Sequence, residues 1–373
     1  MAELIDQSAV QNSFESESNL EEFQDSGSIY WALLPHSAQI TPTPQAEERT
    51  SSNSVKFTLK ESDWDLTNRS EIGLESVPAD SEYIYSFSTF LPESYVADPA
   101  PEIITQWHAK PDFQLGETWS AAGPVLSLNV VDGKWVIDSR WDSREIMRTK
   151  EQRREKKAVP EGSTSTELDN YQTGEWTDWV FRVKWSLEDE GAIEVWQDGE
   201  LVFDRAGPNR YNDLLGPYFR MGIYKPAGWE EAEVTQREAY FDDLSVFSVD
   251  EEDSLLIEAG KDPLLSGDAR DNIYILDTLT APGKQIQDPG GKDSLVFKDL
   301  SLDLVNLQRE NNDLLLDLNR DGAFDAVNDL TISDFFTASG VGDGSIETIG
   351  NLKEYEIFDA FGSDAMAIAP DNT

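Results

Sequence analysis

From residue 28 onward the hydrophobic positions recur with period two. SVKFTLKE places Val55, Phe57 and Leu59 on one side, and YIYSFSTFLP does the same with Tyr83, Tyr85, Phe87 and Thr89. EIITQWHA, GPVLSLNVV, KWVIDSRW, WTDWVFRVKWS, GAIEVWQDGELVFD, GPYFRMGIYK and EAYFDDLSVFS continue the pattern. Val131-Asp132-Gly133 and Gln197-Asp198-Gly199 punctuate it with hairpin-turn chemistry. No amphipathic helical period competes. Many short strands, each with one face for a core and one for solvent or ligand, predict an all-β two-sheet sandwich or jelly roll.

Composition then divides the chain. Residues 1–27 are Ser/Glu/Gln/Asn-rich and read as a mobile acidic leader. Residues 28–249 form the sandwich, residues 250–263 an acidic linker, and residues 264–373 a second, smaller β-rich domain dominated by Asp, Asn, Gly and Leu. The formal net charge is −44. Residues 51–248 nevertheless hold 20 of the 29 basic residues and ten of the eleven Trp, which makes this middle the chemical part.

What the composition excludes is equally useful. Without cysteine there are no disulfides, thiolate metal sites or Cys nucleophiles. Two histidines, His36 and His108, cannot make a His-rich zinc site. So acidic a chain is a poor nucleic-acid partner. No apolar run reaches the roughly 20 residues that cross a bilayer. The first twenty residues lack the basic start and apolar stretch of a signal peptide.

Three strand segments carry the candidate chemistry. On YFRMGIYK, Tyr218, Arg220, Gly222 and Tyr224 share one face, with Phe219, Met221 and Ile223 on the other. Gly222 reads as room for a ligand near the backbone. On TQWHA, Gln106 and His108 share a face opposite Trp107, and on NRSEIGL Arg69 and Glu71 do so opposite Ile72. Taken singly, each is an ordinary amphipathic strand. Together R-S-E, Q-W-H and Y-F-R-M-G-I-Y, in this order, resemble the motif set of the jelly-roll polysaccharide lyases. They are similar to the family 7 alginate lyases, with Arg220 where lysine is usual. The Trp of the middle motif and the segments WTDWVFRVKWS and IEVWQDGELV resemble more closely the glucuronan-lyase and heparin-lyase-like group, polysaccharide lyase family 20 and relatives.

The resemblance implies a concanavalin-like β-jelly-roll lyase that cleaves a 1,4-linked polyuronate, glucuronan-like, by β-elimination. It implies His108, Tyr224, Gln106 and Arg69 as catalytic. Gln106 and Arg69 would neutralise the uronate carboxylate, and either His108 or Tyr224 would take the C5 proton while Tyr224 serves the departing oxygen. Arg220, Tyr218, Lys225, Glu71 and Trp107 would line the substrate subsites. Arg182 and Lys184, which share a face of WVFRVKW, extend the groove floor. The basic run RWDSREIMRTKEQRREKK (140–157) reads as a flap over an anionic polymer, or as a solvated loop with its own glutamates.

The acidic end contributes DLNRDGAFDAVND. Asp317, Asn319, Asp321 and Asp325 fall at positions 1, 3, 5 and 9 of a calcium loop with Gly322 at position 6, although Asn328 replaces the usual closing glutamate. GDARDNIYILD and GGKDSLVFKDLSL resemble the calcium-associated C-terminal regions of RTX-type proteins. That resemblance implies type I secretion machinery as a partner and an extracellular protein without a classical signal peptide. The expectations are thus an anionic polysaccharide as substrate, no catalytic cofactor, calcium in the C-terminal domain, no nucleic-acid or membrane partner, and a monomer. Two other classes stand beside the lyase: a non-catalytic carbohydrate-binding sandwich, and a glycoside hydrolase. The hydrolase needs two carboxylates about 5–10 Å apart, and no E-x-D-x-x-E strand offers them.

Overall fold

The structure is a computed structural model. It describes residues 10–12, 14–16, 20, 32, 34–46, 49, 51–119, 123–147, 149, 159–229, 234–249, 255–258, 263–276, 281–291, 293–297, 305–337, 340–341, 346–351 and 358–359. The alternating segments form β1 (Val10–Asn12), β2 (Ala38–Pro42), β3 (Asn53–Lys60), β4 (Arg69–Pro78), β5 (Glu82–Phe90), β6 (Glu102–His108) and β7 (Leu126–Val131). They continue as β8 (Lys134–Trp141), β9 (Gly162–Asn170), β10 (Trp176–Lys184), β11 (Ala192–Gln197), β12 (Glu200–Ala206), β13 (Leu215–Tyr224) and β14 (Gln236–Ser248). One sheet runs β12-β11-β10-β5-β14-β3-β2, with β1 added on β14, and the other runs β4-β13-β6-β7-β8-β9. This is the two-sheet β-sandwich that the pattern predicts.

The hairpin signals do what their chemistry requires. Asp132 and Gly133 have φ of 48° and 86°, and Asp198 and Gly199 have 52° and 80°. Positive φ at both central residues matches the turn to the twist of the flanking strands. These turns join β7 to β8 and β11 to β12. Between the sheets lies an aromatic core containing Phe57, Phe87, Trp107, Trp135, Trp179, Phe181, Phe219 and Phe241. Trp107 and Phe181 have ring centroids 4.7 Å apart, and Trp135 meets Trp179 edge-on at 5.1 Å.

Two boundary expectations need correction. The leader is not all outside the fold: β1 pairs with β14, and Phe14 and Leu20 are buried in the sandwich core. Glu15 accepts the Ser52 N–H at 2.8 Å. Isolated apolar residues in a polar stretch can anchor a segment without showing any period. The linker also contains β15 (Leu255–Glu258), a strand paired with the following domain.

That domain continues with β16 (Leu264–Ser266), β17 (Asn272–Leu276), β18 (Gln285–Gln287), β19 (Asp293–Phe297), β20 (Asn306–Glu310), β21 (Asp313–Asp317) and β22 (Leu330–Ile332). It ends with β23 (Phe336–Thr337), β24 (Gly340–Val341), β25 (Ile346–Asn351) and β26 (Phe358–Asp359). β15, β17, β19 and β25 pair in parallel, as do β16, β18 and β22, so the chain winds alternately through two sheets. A hairpin, β20–β21, is added to the second sheet. Leu314, Leu316, Leu318 and Leu330 sit in the core between them. Ile275 of this domain packs with Ile84, Val180, Trp196 and Phe247 on the outer face of the sandwich's larger sheet. The outer face of the six-stranded sheet is a separate surface, and the three motifs lie there.

Candidate active site

β4, β13 and β6 are neighbours, and their register aligns the motif residues. Tyr224 pairs with Arg69, Gly222 with Glu71, Arg220 with Gln106, and Tyr218 with His108. Period-two alternation sends Ile72, Trp107, Phe219, Met221 and Ile223 to the core and their polar neighbours to the opposite face.

The polar face has a buried layer and an accessible one. In the buried layer Glu71 is 1% exposed and gathers Gln106 and two arginines. Gln106 donates its Nε2 proton to Glu71 Oε1. Arg220 Nη1 and Arg69 Nη1 each stand 3.5 Å from Glu71 Oε2. Arg220 Nη2 donates to the Tyr218 hydroxyl at 2.7 Å. Burial pushes the Tyr218 phenol up to about 12, against the pull of Arg220. Glu71, Gln106, Arg69, Arg220 and Tyr218 thus form one connected polar network, the base plate of the face.

The accessible layer holds His108, Tyr224 and Arg69. The Arg69 guanidinium lies over the Tyr224 ring at 4.0 Å. The His108 ring stacks on Tyr218 at 5.7 Å and 29°. His108 Nδ1 lies 2.8 Å from the Ala109 carbonyl oxygen. A carbonyl cannot donate, so Nδ1 carries the proton and, in the neutral ring, Nε2 keeps its lone pair. Burial pushes the His108 pKa down to about 4; the Ala109 carbonyl opposes this, and Arg220, Arg69 and Arg140 add to it. At neutral pH the imidazole is therefore an uncharged proton acceptor.

Several sequence-derived residues fall elsewhere. Gln106 is fully buried, and its amide donates to the Glu71 carboxylate. Arg220 and Tyr218, at 3% and 1% exposure, are buried beside it. Trp107 is a core residue, T-shaped against Tyr85 at 5.2 Å. Lys225 is the largest departure. The chain turns inward after Tyr224, and Lys225 is completely buried with Glu102 at 2.8 Å and Asp98 at 3.6 Å. Arg237 meets the same Glu102 at 2.6 Å.

Arg182 lies on β10, in the other sheet, where it pairs with Glu82 at 2.5 Å and Glu194 at 3.8 Å. Lys184 follows it two residues along the same outer face. Period two gives a side for each residue but not the sheet that owns it, so neither shares the face of the three motifs. Gly222 also has another cause. Its φ is 135°, and a Cβ there would lie 2.1 Å from the Ser70 carbonyl oxygen. The neighbouring strand, not a ligand, demands the glycine.

Arg140 of the basic run belongs to β8, bound to Asp138 and the Pro124 carbonyl, each at 3.0 Å. Arg144 pairs with Asp142. Arg148, Lys150, Arg153, Arg154, Lys156 and Lys157 lie outside the described residues. Trp119 is an addition that the sequence pattern concealed. It is 48% exposed and stands edge-on to His108 at 5.8 Å and to Phe113 at 5.4 Å. Its segment GETWS has no period, and only a lone Trp in a polar turn could have flagged it.

Fold and face give a two-sheet sandwich with a polar, titratable strand face, and comparison with known proteins supplies the class. The polysaccharide lyase family model matches residues 17–245, and the chain belongs to that family. The match begins inside the acidic leader, in keeping with the buried Leu20. No curated protein matches the sequence. Among solved structures, it is similar to the endo-β-1,4-glucuronan lyase of the fungus Trichoderma reesei, with 16% identity over 60% of this chain and 92% of that one and a TM-score of 0.47. It is also similar to the PL-14 alginate lyase of Aplysia kurodai, with 11% identity over 65% and 99% of the two chains and a TM-score of 0.44. The PL7 alginate lyase of Zobellia galactanivorans gives 15% identity over 54% and 79%, with a TM-score of 0.35.

Proposed function

We propose that this polysaccharide lyase cleaves a 1,4-linked polyuronate, with glucuronan as the first substrate to test, by β-elimination at the face formed by β4, β13 and β6. The observation that carries the reading is His108: a neutral imidazole with its free Nε2 on an accessible face, surrounded by guanidinium groups. Elimination requires removal of the weakly acidic C5 proton beside the uronate carboxylate. Arg69, the accessible arginine of the face, neutralises that carboxylate as charge moves onto it. Such a preorganised donor is worth about 3–4 kcal/mol of barrier.

The atoms balance simply. His108 Nε2 takes the C5 proton, the C5–H electrons form the C4–C5 double bond, and the C4–O4 bond breaks. Tyr224 gives its phenolic proton to O4, which leaves as a hydroxyl. Each positioned acid or base contributes about 10²–10⁴-fold. An incoming carboxylate also offsets the guanidinium charges around His108 and raises its proton affinity when it is needed. Trp119 supplies an apolar wall beside the imidazole for a sugar ring.

The test is a screen of glucuronan, alginate and heparin-type polymers, read by the ultraviolet absorbance of the new C4–C5 double bond. A signal on a polyuronate that disappears in His108→Ala is expected. Binding without any unsaturated product would instead make the sandwich a carbohydrate-binding module and overturn the proposal.

A further inference from the structure

The loop between β21 and β22 carries a feature that catalysis does not use. Asp317, at the end of β21, is fully buried. Its Oδ2 accepts the Gly322 N–H at 3.0 Å and the Asn306 side-chain amide at 2.9 Å. Its Oδ1 is buried with no hydrogen-bond partner. A buried carboxylate oxygen without a partner is costly to keep and asks for a ligand. The Gly322 amide on the sister oxygen ties the carboxylate to the loop of residues 317–325. Gly322, with φ of 79°, turns the chain within it.

The same loop offers further hard oxygen donors at alternating positions. Asn319 Oδ1 accepts the Asp321 N–H at 3.0 Å, and Asp321 Oδ1 accepts the Ala323 N–H at 2.7 Å. Asp325 Oδ1 accepts the Val327 N–H at 2.9 Å. Each keeps lone pairs, and the Ala323 carbonyl adds a backbone oxygen at the seventh position. From beneath, buried Asp329 fastens the loop, accepting from the Leu318 N–H at 3.1 Å and the Asp325 N–H at 2.8 Å.

We propose that this loop is a calcium site, with Asp317 Oδ1 as its buried anchor and Asn319, Asp321, the Ala323 carbonyl and Asp325 completing the oxygen shell. Asp329 shapes the loop without touching the ion. Mixed carboxylate, amide and carbonyl oxygens on a flexible loop suit calcium's six to eight ligands better than magnesium's strict octahedron. Among the described residues, no three acidic or histidine side chains yet converge on one point. Asp321 and Asp325 are exposed and turn inward on binding, and the 3.2 Å bond from Asn319 Nδ2 to Asp321 is exchanged for the metal. Since the loop joins β21 to β22, whose Leu316 and Leu330 lie in the C-terminal core, the ion would clamp that core.

The experiment is calorimetric titration of the chelator-stripped full chain with calcium chloride. One saturable calcium per chain is expected. Asp321→Ala and Asn319→Ala, both at exposed positions, should each lower the affinity by about tenfold or more. At a fixed calcium concentration the melting temperature should rise more in the wild type than in Asp321→Ala. No saturable heat up to millimolar calcium, or unchanged affinity in both variants, overturns the proposal. Equal titration by magnesium overturns the choice of metal.

Discussion

His108 gives its Nδ1 proton to the carbonyl of the next residue, Ala109, at 2.8 Å, and this contact fixes which ring nitrogen is free. The bond is local, so it needs no distant partner to hold the tautomer.

The first prediction concerns pH. The reactive form of His108 is neutral, and its folded-state pKa is pushed down to about 4. Lyase kcat/KM should therefore hold as pH falls through about 6.5, the ordinary histidine value, and decline only near 4. An acid limb centred near 6.5 would contradict this. The same shift works against folding in acid. The unfolded chain binds the proton first, so this group's contribution falls as pH drops from about 6.5 toward the folded value.

Two tyrosines on one strand should separate cleanly. Tyr224→Phe removes the proton for O4 and should lower kcat by about 10²–10⁴-fold with the melting temperature kept. Tyr218→Phe leaves Arg220 Nη2 without its 2.7 Å acceptor and should cost stability, about 1–3 kcal/mol, with a much smaller loss of kcat. The reverse ranking in steady-state kinetics and thermal melts would reassign the acid.

Trp119→Ala should act on binding. Losing an aromatic wall beside His108 removes about 1 kcal/mol, which raises KM roughly fivefold while kcat stays within about twofold. A kcat collapse at unchanged KM would mean that Trp119 holds the imidazole and not the sugar.

Lys225→Met takes one of the two cations from the buried Glu102 and Asp98 carboxylates and leaves Arg237. Removing one partner of such a group costs about 3–5 kcal/mol, measurable by denaturant titration. A neutral result would place Lys225 back at the surface and reopen its role in substrate binding.

The strand pattern made the sandwich, its hairpins and the shared face of Arg69, Glu71, Gln106, His108, Arg220 and Tyr224 legible, because alternation and turn chemistry are local properties. Depth on that face was not legible. Gln106 and His108 are two residues apart, yet one is sealed under Glu71 and the other reaches solvent. The fate of Lys225 depends on Glu102, 123 residues away, and no spacing announces that partner. Arg182 alternates as well as any groove residue, but its strand pairs with β5 and β11 in the opposite sheet. Phe14 and Leu20 had no period to betray them. The parallel winding of the C-terminal strands was hidden because short Asp- and Gly-bounded runs look alike in either direction.

The contact of Ile275 with Val180, Trp196 and Phe247 has a practical consequence for anyone dissecting the chain. Cutting near residue 250 to isolate the sandwich strips the cover from a contiguous apolar patch containing a large aromatic. Such a fragment would keep every residue of the reactive face and yet acquire a sticky back, prone to self-association. Poor solubility of the shortened enzyme would then report a lost neighbour and not a damaged fold.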